Sequence, residues 1–181
     1  IEGVSVQQQF AISMLVAVAL ADYLQTISGT AITVKWPNDI MAAGKKCGGI
    51  LIENQVRGTA IKSTIVGVGL NINEEVLINL PQATSLRLVS GKTYDLDIIL
   101  KGVTSEMFSA LTTVSQEATA SIQFRFEQFL FKKGVQSRYR LSDGTEFLGT
   151  ITGVNLLGQL LMDLPQGNSL KFWNKEVEML Y

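Results

Sequence analysis

Residues able to do chemistry crowd into two runs of this chain: Thr33 to Asn54, TVKWPNDIMAAGKKCGGILIEN, and Ile65 to Asn73, IVGVGLNIN. Lys35, Lys45 and Lys46 can each bring a point charge to a phosphate or a carboxylate. Asn38 and Asp39 follow Pro37, whose fixed φ limits how the pair can point. Asn71 offers a two-sided amide suited to a base edge such as the N6/N7 side of adenine. Gly48, Gly49, Gly67 and Gly69 interrupt stretches that otherwise read as strands, and glycine inside a strand implies a bulge or a close approach. Two strands that both lose side chains on one face would form a floor for a flat molecule. The same glycines would equally serve tight packing of a helix on the sheet, and the residues alone leave both readings open.

Composition narrows the chemistry. At 181 residues, with 46% hydrophobic and 17% charged residues, the chain is of globular class, sized for one domain or for one with a small second one attached. No residue is histidine, which excludes Ser-His and Cys-His nucleophilic schemes, His-ligated zinc and imidazole acid-base catalysis within the chain. The net charge of −1, without blocks of like charge, argues against a surface built for nucleic acid. A lone cysteine, Cys47, cannot close an internal disulfide; with no secretory leader recognisable, a cytoplasmic protein is expected. The most apolar piece, Phe10 to Leu24, reads as a buried helix too short to span a membrane. The opening at Ile1 raises the expectation of an upstream segment.

The positioning elements follow from periodicity. Ser5-Val-Gln-Gln8 has the form of a capping box, and Phe10, Met14, Ala17, Val18, Ala21 and Leu24 give the following helix one apolar face, with Ser28-Gly29 as its stop. Ile32 to Trp36 reads as a strand ended by Pro37, Lys46 to Asn54 as the strand returning from a turn at Ala43-Gly44, and Ala60 to Asn71 as a third, together an antiparallel meander. Glu74 to Thr93 is connection, with room for a helical turn at Ser85 to Val89. Helical period returns from Leu96 to Leu111 and again through Ile122, Phe126 and Phe129, separated by polar Thr112 to Thr119. From Lys132 the texture is short alternating runs with a turn roughly every ten residues, which predicts a small β-barrel. No convergent catalytic set lies there, so it reads as a structural or partner-contacting appendix.

Taken in order, Lys35-Trp36-Pro37-Asn38-Asp39, then Lys46-Cys47-Gly48-Gly49-Ile50-Leu51, then Gly67-Val68-Gly69-Leu70-Asn71 closely resemble the motifs of biotin protein ligases, over nearly the whole chain. The resemblance implies an α+β catalytic domain of the class II aminoacyl-tRNA-synthetase-like kind over residues 1–133 and a C-terminal SH3-like β-barrel over 134–181. It implies a two-step reaction: biotin and ATP give biotinyl-5′-AMP, and a lysine of a biotin carboxyl carrier protein, of acetyl-CoA carboxylase or a related biotin-dependent enzyme, takes the acyl group. By residue, it implies catalytic roles for Lys46 and Asp39, a biotin site including Lys46, Gly48, Gly49 and Gly69, and an ATP site including Lys35, Asn38 and Asn71. Mg²⁺ would accompany ATP, with no protein metal site. A homodimer and an upstream DNA-binding domain stay open. The family's Gly/Arg-rich loop, of the GRGRRG kind, falls upstream of the region matching Ile1; without it, biotin affinity and adenylation are expected to be impaired. A lipoate-protein ligase of the same fold and a non-catalytic binding fragment are the competing readings.

Overall fold

The structure, a computed structural model, describes residues 9–112 and 118–180. The capping box at Ser5 and the polar break after Thr112 fall largely or wholly outside them. Helix α1, Gln9–Ser28, is apolar on nearly every side, and Ile12, Met14, Val16, Leu20 and Leu24 are fully buried. A helix hydrophobic all round belongs in a core. The sequence predicts a single apolar face; instead α1 packs on β1 and β3 and also on α3 and α4. At twenty residues it is long and apolar enough to cross a membrane by length and composition, contrary to the expectation, yet most of it is enclosed by the rest of the fold. It stops where predicted, at Gly29 with φ +72°.

Strands β1 (Ile32–Lys35), β2 (Asp39–Ala42), β3 (Lys45–Arg57) and β4 (Ala60–Leu70) form an antiparallel sheet in that order. Strand β2 is an addition to the expected meander: the chain turns at Pro37 and again at Ala43-Gly44, and the four residues between pair on both sides. Helix α2 (Leu86–Ser90) is capped by Ser85, whose Oγ accepts from the Leu88 amide at 3.1 Å, and ends at Gly91. Helices α3 (Leu96–Thr112) and α4 (Ala118–Phe129) follow.

The C-terminal strands β5 (Gln136–Leu141), β6 (Glu146–Val154), β7 (Leu160–Asp163), β8 (Ser169–Phe172) and β9 (Val177–Leu180) form a second antiparallel sheet, ordered β8-β7-β6-β5-β9. It does not close into the expected barrel. Strand β9 spends its ladder on β5, and among the described residues no pairing joins it to β8, so two short edge strands remain. The fold is α+β with two antiparallel sheets.

The sheets are stitched together. Phe131 N–H donates to the Val34 carbonyl at 2.9 Å and Gly134 N–H to that of Ile151 at 2.9 Å, so the segment after α4 bonds both sheets. Glu127 on α4 adds a polar tie: Oε1 accepts from the Val154 amide at 3.2 Å, while Oε2 meets Lys133 Nζ at 2.6 Å. Val154 is fully buried. Glu127→Ala would strand that amide without a carboxylate, a loss of about 2 kcal/mol and a fall in Tm of roughly 4–8 °C. A thermal melt within a degree of wild type would refute this role.

Candidate functional site

Sheet register assembles the site. Lys35 on β1 lies opposite Asp39 on β2, Asp39 opposite Gly49 on β3, and Gly49 opposite Gly69 on β4. Residues directly opposite in an antiparallel pair share a face, so these four make one row across the sheet. Lys46 joins the same face through an irregularity. Ile40 pairs with Gly48 but Met41 pairs with Lys46, leaving Cys47 as the extra residue of a bulge. Three residues apart on a regular strand, Lys46 and Gly49 would point to opposite faces. The bulge turns Lys46 onto the face of Asp39, where its Nζ meets Oδ1 at 2.6 Å. Cys47 is fully buried, and burial, with a smaller contribution from the Glu74 charge, pushes its thiol up to about 11. It stays protonated at neutral pH and cannot serve as a nucleophile.

The ion pair is reachable from solvent, its side chains being 47% and 22% exposed. Its backbone is fixed: Lys46 N–H donates to the Gln82 carbonyl and its own carbonyl accepts from Thr84, both at 2.8 Å. The segment 82–84 thereby forms a second wall beside the lysine.

The glycines divide into two kinds. A Cβ on Gly48 would lie 2.5 Å from the Gly69 carbonyl oxygen and 2.6 Å from a Leu70 methyl, so this glycine serves close packing. At Gly69 a Cβ would meet nothing within 4 Å, and at Gly49 it would rest against Asp39 and Lys46 at 3.6 and 3.8 Å. Gly49 and Gly69, with the exposed Gly67 and the 60% exposed Leu51, form an open patch on this face of the sheet, with no helix packed against it at Gly69. Gly48 lies behind it.

The two asparagines already have tasks in the fold. Asn38 clamps β3: its carbonyl accepts from the Ile50 amide at 2.9 Å and its Nδ2 donates to the Ile50 carbonyl at 2.7 Å. Asn71 donates from Nδ2 to the Thr84 carbonyl at 3.1 Å, while its backbone bonds Cys47 and Leu86. The structure thus places Lys46, Asp39, Gly49, Gly69 and Lys35 on one face, and uses Asn38 and Asn71 to brace its borders. The glycines admitted a bulge from sequence, but neither its position at Cys47 nor the wall at Gln82 could be read there; a pattern of residue types carries no register. Next to the row, a cavity of about 320 Å³ is lined by Trp36, Pro37, Ile50, Ile52, Gly158 and Trp173. Trp36 Nε1 donates across it to the Gly158 carbonyl at 3.0 Å, tying the motif strand to the second sheet. Among the described residues no three carboxylate or cysteine side chains gather as a metal site.

The chain is similar to known proteins in sequence and in fold. A profile of the biotin/lipoate A/B protein ligase family matches residues 2–71. The bifunctional ligase/repressor BirA of Bacillus spizizenii is 28% identical over 173 residues, 93% of this chain and 52% of that protein. The biotin–[acetyl-CoA-carboxylase] ligase of Paracoccus denitrificans is 38% identical over 63 residues, 34% of this chain and 26% of that one. The chain spans about half the length of the BirA relatives it matches. Among solved structures, the Aquifex aeolicus biotin protein ligase in complex with biotin and ATP superposes with a TM-score of 0.76 at 20% identity, covering 94% of this chain and 71% of that one. Its apo form gives 0.77. At that identity the likeness is one of fold.

Proposed function

We infer, from the premise that this chain belongs to the biotin protein ligase family, that it carries the catalytic core of an ATP-dependent biotin ligase. A biotin carboxylate oxygen attacks the α-phosphorus of ATP, the α–β P–O bond breaks, and biotinyl-5′-AMP and pyrophosphate form. The amine of a lysine on a biotin carboxyl carrier protein then attacks the acyl carbon, AMP leaves, and the amine gives up a proton. The observation that carries this reading is the Lys46–Asp39 pair, 2.6 Å apart at the edge of the Gly49–Gly69 floor. A cation held there can compensate the negative charge that collects between carboxylate and α-phosphate as they join.

In this reading Asp39 aims Lys46 during the first step and accepts a hydrogen bond from the incoming amine in the second. The biotin ring system lies on Gly49 and Gly69, with Gly48 supplying backbone behind it. Lys35, at the far end of the row, faces the nucleotide phosphates. Asn71 reads adenine with the amide oxygen left after Nδ2 is given to Thr84, and Asn38 acts by holding β3 in place at the nucleotide's border. Mg²⁺ enters with ATP as part of that substrate. We divide the chain as residues 1–133 for the ligation chemistry and 134–181 for the C-terminal sheet.

The test is formation of biotinyl-AMP by the full-length protein, with α-labelled ATP and either biotin or lipoate. Adenylate that depends on biotin and resists competition by lipoate is the expected result. Lipoyl-AMP in its place would transfer the assignment to lipoate, and no adenylate from either acid would remove the ligase reading.

A further inference from the structure

The C-terminal sheet, read from sequence as an appendix without chemistry, sends two arginines toward the ligation face. A cavity of about 400 Å³ is lined by Lys35 and Gln82 on one side and by Arg138, Arg140, Glu146 and Glu178 on the other. Lys35 is the end of the row that contains Asp39, and the Gln82 carbonyl holds the backbone of Lys46. The cavity therefore begins beside the reactive pair and ends on strand β5.

Register separates the two arginines. Arg140 lies directly across from Glu146 on β6 and from Glu178 on β9, and its Nη2 meets Glu146 Oε1 at 2.9 Å. Carboxylates on both sides offset its charge. Arg138 lies across from Leu148 and Leu180. Its guanidinium, on an exposed residue, has no carboxylate in either directly opposite position, so its charge is the one the sheet offers to the cavity.

We propose that Arg138, with Lys35, binds the pyrophosphate that departs in the adenylation step. This deepens the ligase reading and rests on it. When the α–β bond breaks, its electron pair stays on the bridging oxygen of pyrophosphate, and that charge develops one phosphate away from Lys46. A planar guanidinium fork matches two phosphate oxygens at once, which a lysine cannot do. The second sheet thus completes the leaving-group side of the site.

The experiment titrates inorganic pyrophosphate, with Mg²⁺ and biotin present, into full-length wild-type protein, Arg138→Ala and Arg138→Lys by calorimetry. Transfer from preformed biotinyl-AMP to the carrier is measured alongside. The expected result is pyrophosphate affinity reduced roughly tenfold or more in Arg138→Ala, only partly restored in Arg138→Lys, with the rate and carrier KM of transfer unchanged. Unchanged pyrophosphate affinity would overturn the proposal, and so would a defect found only in the carrier KM, which would make Arg138 a docking residue. Wild-type protein that forms biotinyl-AMP but shows no pyrophosphate binding overturns this proposal alone. Protein that forms no adenylate removes the ligase reading beneath it.

Discussion

Lys46→Ala is expected to lower biotinyl-AMP formation by roughly a thousandfold, about 4 kcal/mol of transition-state stabilisation, and to leave the fold intact. The side chain is half exposed, and its pair with Asp39 is near enough to water that its loss costs at most about 1 kcal/mol of stability. Adenylate formation and melting temperature therefore move independently, and measuring both on one preparation separates chemistry from folding. Lys46→Arg should restore little, because the bulge at Cys47 aims one ammonium at Asp39 and a longer fork would have to sit elsewhere. Asp39→Asn provides a second reading of the same pair: it keeps the shape and removes the charge that holds Lys46, so it should lower the rate less than losing the lysine. Adenylate formation by Lys46→Ala within a few-fold of wild type would take the lysine out of the mechanism.

The second large effect separates glycines that look alike in sequence. Gly48→Ala places a methyl 2.5 Å from the Gly69 carbonyl oxygen and 2.6 Å from a methyl of half-buried Leu70; the leucine side chain can turn aside, but the carbonyl cannot withdraw without opening the β3–β4 ladder. Overpacking of this kind costs about 3 kcal/mol, or a fall in Tm of roughly 6–12 °C for a chain of this size. Gly69→Ala adds its methyl to open space and should leave stability within about 0.5 kcal/mol of wild type. In the proposed reading that methyl stands where the biotin ring would lie, so the biotin KM should rise while Tm holds. Reversed outcomes, with Gly48→Ala benign to the fold and Gly69→Ala disruptive, would show that packing and floor have been assigned to the wrong glycines.

Helices α3 and α4 and the long strands β3 and β4 are legible in the sequence because each carries its own period over many residues, and α1 because it is a long apolar run ended by Ser28-Gly29. What the residues could not reveal depends on partners distant along the chain. Strand β2 is four residues long, shorter than its period can declare, and exists because β1 and β3 flank it. The shift that turns Lys46 toward Asp39 is a property of two strands together. The motif residues could thus be chosen by type and order, while their common face could not be derived from either. Arg138 was hidden for another reason: a charge on a short alternating strand looks like an ordinary solvated face until the opposing strands show leucines where Arg140 meets glutamates. The barrel predicted from turn spacing fails similarly, since spacing counts strands and says nothing of which edges meet.

The cavity beside the motif strand has an optical consequence. The chain contains two tryptophans, and both line it: Trp36, almost buried and bonded to Gly158, and Trp173, 47% exposed at the opposite wall. Nearly all the intrinsic indole emission of this chain therefore originates at a single location, from one chromophore in a dry setting and one in a wet setting. A molecule or neighbouring segment that enters is expected to change the surroundings of exposed Trp173 more than those of Trp36, which is already shielded. Emission shifts and quencher access at Trp173, referenced to Trp36, would then follow occupancy of this space without a label.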